Sequence, residues 1–140
     1  MSVWIDRILL AALILVVVAL TVTSLPSLGG QALLGQALLA HMMASGFLVI
    51  GLPIFAIAFL RHFSARQPTS GLQNWGVLAT IATGWLAIVT VFLCMLPIPS
   101  THQMHVLMSA HGWAGFAMIP AIIVLLLGVR STRSASHPRS

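Results

Sequence analysis

Four long apolar runs, separated only by short turn-forming connections, constrain this chain more than anything else in it. A helix needs about 20 apolar residues, rising ~1.5 Å each, to cross the ~30 Å hydrocarbon core of a bilayer. Residues 8–25, 33–60, 74–96 and 104–129 meet that length, and Asp6 is the one acidic residue among 140. Soluble domains carry ~25% charged residues. Here the fraction is 5%, against 59% apolar residues and a mean hydropathy of +1.08. The connections "LPSLGG", "RHFSARQPTSGLQ" and "PIPSTHQ" suit antiparallel neighbours. The expected fold is therefore an all-α integral membrane protein, a four-transmembrane-helix up-down bundle over residues 1–129 with a Ser/Arg-rich tail at 130–140.

The net charge of +5 comes from six arginines and no lysine. Arg7 precedes the first span, Arg61 and Arg66 lie in the middle connection, and Arg130, Arg133 and Arg139 follow the last span. The other two connections carry no charge, so the positive-inside rule puts both termini and the middle loop in the cytoplasm. The arginines report topology rather than nucleic-acid binding. Residues 1–31 read as a retained span, because the apolar run is long for a leader and "SLGGQA" is a poor cleavage site. Cys94 is the sole cysteine, which leaves no disulfide and no paired-thiolate metal site.

Against that apolar background the histidines stand out. Of six, only His41 and His111 fall well inside spans; His62 reads as interfacial beside Arg61, and His137 belongs to the tail. Counted from helix starts near 33 and 103, both lie eight residues in, about 12 Å down from the outer side. Two imidazoles at one depth suit a pair of axial ligands. The bland alternative is an interhelical hydrogen bond for each, worth ~0.6 kcal/mol in membranes. No Asp, Glu, Lys, Arg or Tyr lies inside a span to serve as partner.

Ser45 and Gly115 follow the two histidines at i+4, on the same face one turn deeper, where small side chains let a flat macrocycle approach the backbone. Haem iron takes axial nitrogens from opposite sides while the porphyrin fills a bundle interior. His105 is the alternative ligand on the fourth helix. It lies about 240° from His111 at ~100° per residue, on another face and nearer the water. Met104, Met108, His111 and Gly115 form one stripe, in which methionine is chiefly a packing residue. Thioethers beside imidazoles also suit copper(I), so His102, Met104 and His105, with Met42 and Met43, support an alternative outward-facing copper site. A cofactor-free structural subunit is the third alternative. Trp4, Trp75, Trp85 and Trp113 read as interfacial anchors. No nucleophile–base pair or carboxylate pair marks the isolated chain as an enzyme.

The segments "LLAHMMASGFLVIGLPIFAIAFL", "TIATGWLAIVTVFLCMLPI" and "MHVLMSAHGWAGFAMI" resemble the four-helix bacterial b-type cytochromes, which are related to the cytochrome b subunits of formate dehydrogenases and nickel hydrogenases. The resemblance covers roughly residues 33–125. It implies one haem b held by His41 and His111, with Thr83 and Gly84 near the ring. It also implies electron transfer between a quinol and an extracytoplasmic redox partner, within a larger complex. Family members often carry a second haem, for which this chain has no evident ligands. Outer-loop cations that usually meet the haem propionates are missing too. Thr101, His102, Gln103 and His105 are the residues left to serve a propionate or quinol there, and either histidine could accept a quinol proton.

Overall fold

The structure is a computed structural model that describes residues 3–64 and 70–135, with side chains described over 4–61 and 70–131. Its regular elements are four helices: α1 (Val3–Leu28), α2 (Gly35–Ser64), α3 (Gly71–Met95) and α4 (Thr101–Ala135). Each contains a stretch long and apolar enough to cross a membrane: Trp4–Leu28, Gly35–Arg61, Gly71–Met95 and Thr101–Ser131. The chain is thus an all-helical, multi-pass membrane protein. Arg66, His137 and Arg139 lie outside the described residues, as do the side chains of His62 and Arg133. The helices outrun the apolar runs because a helix, once nucleated, propagates into polar flanks at little cost. α4 accordingly continues through Ala135 into the segment expected to be tail.

The chain divides into two compact units, residues 1–55 and 56–140. In the first, α1 ends in a Schellman motif. The Gln31 N–H donates to Pro26 O and the Gly30 N–H to Ser27 O, at 3.3 and 3.1 Å. Gly30 supplies the left-handed turn, at φ 75°, which a residue with a Cβ would adopt only under strain. On α2, Ala44, Leu48, Leu52 and Phe55 are buried, and their spacing of 4, 4 and 3 makes one stripe. His41, three residues before Ala44, continues that stripe.

In the second unit, α3 and α4 form an antiparallel hairpin in constant register. Gln73 lies opposite Gly128 and Gly76 opposite Leu125, while Thr90 lies opposite His111. Seventeen residues along α3 (73 to 90) match seventeen back along α4 (128 to 111). The glycines set how closely the helices meet. A Cβ on Gly76 would sit 2.5 Å from Leu125 N and 2.8 Å from Leu125 Cβ, and one on Gly128 would sit 2.5 Å from Gln73 Cα. Membrane helices associate through such small-residue contacts, because lipid supplies no hydrophobic drive between them. Ser70 closes the same end. Its hydroxyl caps α3 by accepting from the Gln73 N–H at 3.1 Å and donates to Gly128 O at 3.1 Å.

α4 starts at Thr101 rather than near 103 because "STHQ" is a capping box. The Gln103 N–H donates to Ser100 Oγ at 3.4 Å, and the Ser100 N–H donates to Gln103 Oε1 at 2.8 Å. Depth along the helices changes with these starts. His41 is six residues into α2, counted from Gly35, and His111 is ten residues into α4, counted from Thr101. The apolar runs lead to a count of eight for each.

Candidate functional site

His111 is half-buried on α4, and its ring reaches the α3 backbone at the small Ala87, about one turn from the facing Thr90. Its Nδ1 lies 2.9 Å from Ala87 O. A carbonyl oxygen only accepts, so Nδ1 carries the proton and donates it. Thr90 Oγ1 is 3.4 Å from the same nitrogen, but its hydroxyl donates to Leu86 O at 2.8 Å. The ring is thereby oriented through Nδ1, as metal-ligating histidines are through their second nitrogen.

His41 reaches the same state by other means. Its Nδ1 lies 3.0 Å from Thr23 Oγ1 and 3.3 Å from Ser24 Oγ, near the end of α1. Both hydroxyls also reach back along α1, from Thr23 to Ala19 O at 2.8 Å and from Ser24 to Leu20 O at 2.7 Å. Which partner donates to which follows the tautomer of His41; in either case the contact to α1 orients the ring through Nδ1.

Both intramembrane histidines thus make the interhelical hydrogen bonds of the bland reading, and both do so through Nδ1. Metal-bound histidines characteristically use their second nitrogen in this way, since a bond from N–H to a carbonyl or hydroxyl orients the ring and raises its basicity. The partners were hidden in the sequence because they are not charged. Thr23 and Ser24 looked like the frayed end of an apolar run, and the Ala87 acceptor is a main-chain atom.

The remaining candidates sort by surroundings. Gly115 is half-buried, yet among the described residues no atom lies within 4 Å of where its Cβ would be. One turn deeper than His111, it leaves a notch along α4. Ser45 spends its hydroxyl on His41 O at 2.8 Å, so toward its surroundings it acts as a small, satisfied side chain. Gly84 is buried on α3 in a stripe with Gly76, Thr80 and Ala87. Thr83 donates to Ala79 O at 2.7 Å. Thr101, His102, Gln103 and His105 are exposed on the first turns of α4, and Gln103 commits its side-chain oxygen to the capping box. Met104 is half-buried, whereas Met42, Met43 and Met108 are exposed. Met118, seven residues beyond His111, is the buried methionine of that stripe. All four tryptophans are exposed, and Arg7 lies 5.9 Å from the ring centre of Trp4.

A cavity of about 380 Å³ opens at the end of the α3–α4 hairpin, lined by Leu93, Leu96, Ile98, Pro99, Gln103, Val106 and Leu107. It is apolar but for the Gln103 amide. Its size and lining are those of a small-molecule pocket. Among the described residues no three His, Cys, Asp or Glu side chains come together as a metal-binding group. Axial haem ligation requires only two imidazoles, and His41 and His111 are each, within their own unit, oriented through Nδ1 in the way that ligating histidines are.

Comparisons with protein-family models, with curated proteins and with solved structures found no match.

Proposed function

We propose that this chain is a membrane b-type cytochrome that binds one haem b through His41 and His111. It would pass electrons between a quinol and an extracytoplasmic redox partner, as a subunit of a larger complex in the bacterial inner membrane with both termini cytoplasmic. The observation that carries the proposal is the shared hydrogen bonding of the two histidines. Each is bonded through Nδ1 to a neighbouring helix, the second-nitrogen contact by which ligating histidines are oriented. The haem, when bound, supplies the one-electron chemistry; the protein supplies ligation, orientation and exclusion of water.

The chain's own residues have distinct parts in this reading. The Ala87 carbonyl and the Thr23 and Ser24 hydroxyls orient the imidazoles. The notch at Gly115 admits a flat ring beside α4. The cavity at the hairpin end would take the quinol, with the Gln103 amide as hydrogen-bond donor at its wall. His102 and His105, exposed on the neighbouring turns of α4, would accept a quinol proton or solvate a propionate, at positions water can reach.

The test is to purify the protein from a haem-supplied membrane host and titrate it with a short-chain quinol. Reduction of a b-type absorption band by quinol supports the proposal, and a colourless protein refutes it. Copper found by metal analysis of a colourless sample would favour the alternative site at His102, Met104 and His105.

A further inference from the structure

We propose that the cavity at the end of the α3–α4 hairpin holds an oxidised quinone more tightly than the quinol, and that Gln103 sets this preference. The inference rests on reading the cavity as the quinol site. Among the described residues that line it, only Gln103 has a side chain able to hydrogen-bond. Leu93, Leu96 and Val106 on its wall are exposed near the ends of two spanning helices, which opens it to ligands dissolved in the bilayer.

The amide of Gln103 can be read without ambiguity. The Ser100 N–H only donates, so the atom 2.8 Å from it is the amide oxygen, Oε1. The capping box thus takes up the acceptor of the amide, and its Nε2 hydrogens are what Gln103 offers a ligand. Other main-chain groups of the turn are committed or missing as well. The Leu96 N–H donates to Leu93 O at 3.2 Å, and Pro97 and Pro99 carry no N–H. A quinone oxygen only accepts, which matches Nε2. A quinol oxygen can also accept, but its own O–H then needs an acceptor, and no lining side chain supplies one. A buried hydroxyl left without a partner weakens binding about 5- to 150-fold. Because Gln103 is exposed, water at the rim keeps the preference near the lower end, about 10-fold. A two-electron couple whose oxidised member is held 10-fold more tightly has a midpoint about 30 mV below that of the free couple. Binding therefore makes the quinol a stronger reductant.

The test uses the full chain in lipid nanodiscs with a decyl-tailed benzoquinone and its quinol. Calorimetry under anaerobic conditions, corrected against empty nanodiscs, measures quinone on oxidised protein and quinol on reduced protein, so that no electrons pass. Wild type should bind the quinone about 10-fold more tightly. Gln103→Glu at pH 8 keeps an oxygen for the Ser100 N–H but replaces the donor by a second oxygen, and should reverse the preference. Gln103→Leu should abolish it, and Leu107→Trp should lose both forms. Equal affinities in wild type, binding of neither form, an unchanged preference in Gln103→Glu, or undiminished binding in Leu107→Trp each overturn the proposal. If Gln103→Glu does not fold, Gln103→Leu decides by whether the preference is lost. The haem spectrum of the same samples keeps the two readings apart. A b-type band without the preference overturns this proposal alone, and the preference in a colourless protein overturns the cytochrome reading alone.

Discussion

Replacing Gly115 by leucine separates the stability of the protein from its capacity for a cofactor. At this position the two pull in opposite directions. A Cβ on Gly115 would meet no described atom within 4 Å, so the cofactor-free protein should accept the larger side chain without a clash. Removing a mid-helix glycine favours the helix by up to ~1 kcal/mol. A bound ring, by contrast, would occupy that notch at van der Waals contact, ~3.5–4.0 Å from the helix, one turn from its ligand His111. Forcing a side chain into occupied space costs about 1–3 kcal/mol, which weakens binding roughly 5- to 150-fold. The assay pairs cofactor-free unfolding in detergent with haem titration of the same sample. Unchanged or raised stability with haem affinity reduced in that range is the expected result. Full affinity in Gly115→Leu would show that the ring does not lie against this face of α4. Loss of stability in the cofactor-free protein would show that the notch is not open.

Gly76→Ala should behave in the reverse way. The new Cβ meets the Leu125 backbone, so detergent unfolding should show a loss of about 1–3 kcal/mol, while Gly46→Ala, with open space around it, should be stabilising by up to ~1 kcal/mol. Ser100→Ala removes the α4 cap and should cost about 1 kcal/mol, read as faster hydrogen exchange at the Gln103 and Met104 amides. Leu107→Trp, which fills the cavity at the hairpin end, should raise the KM for quinol and leave the haem spectrum unchanged.

Length and hydropathy made the four spans legible, because the bilayer sets a length that few other constraints imitate. The helix ends were less so. Apolarity marks where lipid begins, whereas caps mark where helices begin, and Ser70 and Ser100 start α3 and α4 a few residues before the apolar runs. That difference changed how far along their own helices His41 and His111 lie. The two histidines themselves were visible as polar groups without charged partners in an apolar alphabet. Their contacts through Nδ1 were not, since sequence spacing does not connect Thr23, Ser24 and the Ala87 carbonyl to them. Gln103 carries a local device that spacing alone did not bring out: its oxygen serves the capping box, which leaves its amide N–H₂ group for the cavity.

The central claim is that His41 and His111 are the two ligands of one haem, and a reduced-minus-oxidised optical spectrum of purified protein tests it most directly. Wild type and His105→Ala should show the same b-type bands with one haem per chain. His41→Ala and His111→Ala should each lose the paired-imidazole spectrum. A wild-type protein without b-type absorption, or one that loses it only in His105→Ala, would contradict the account.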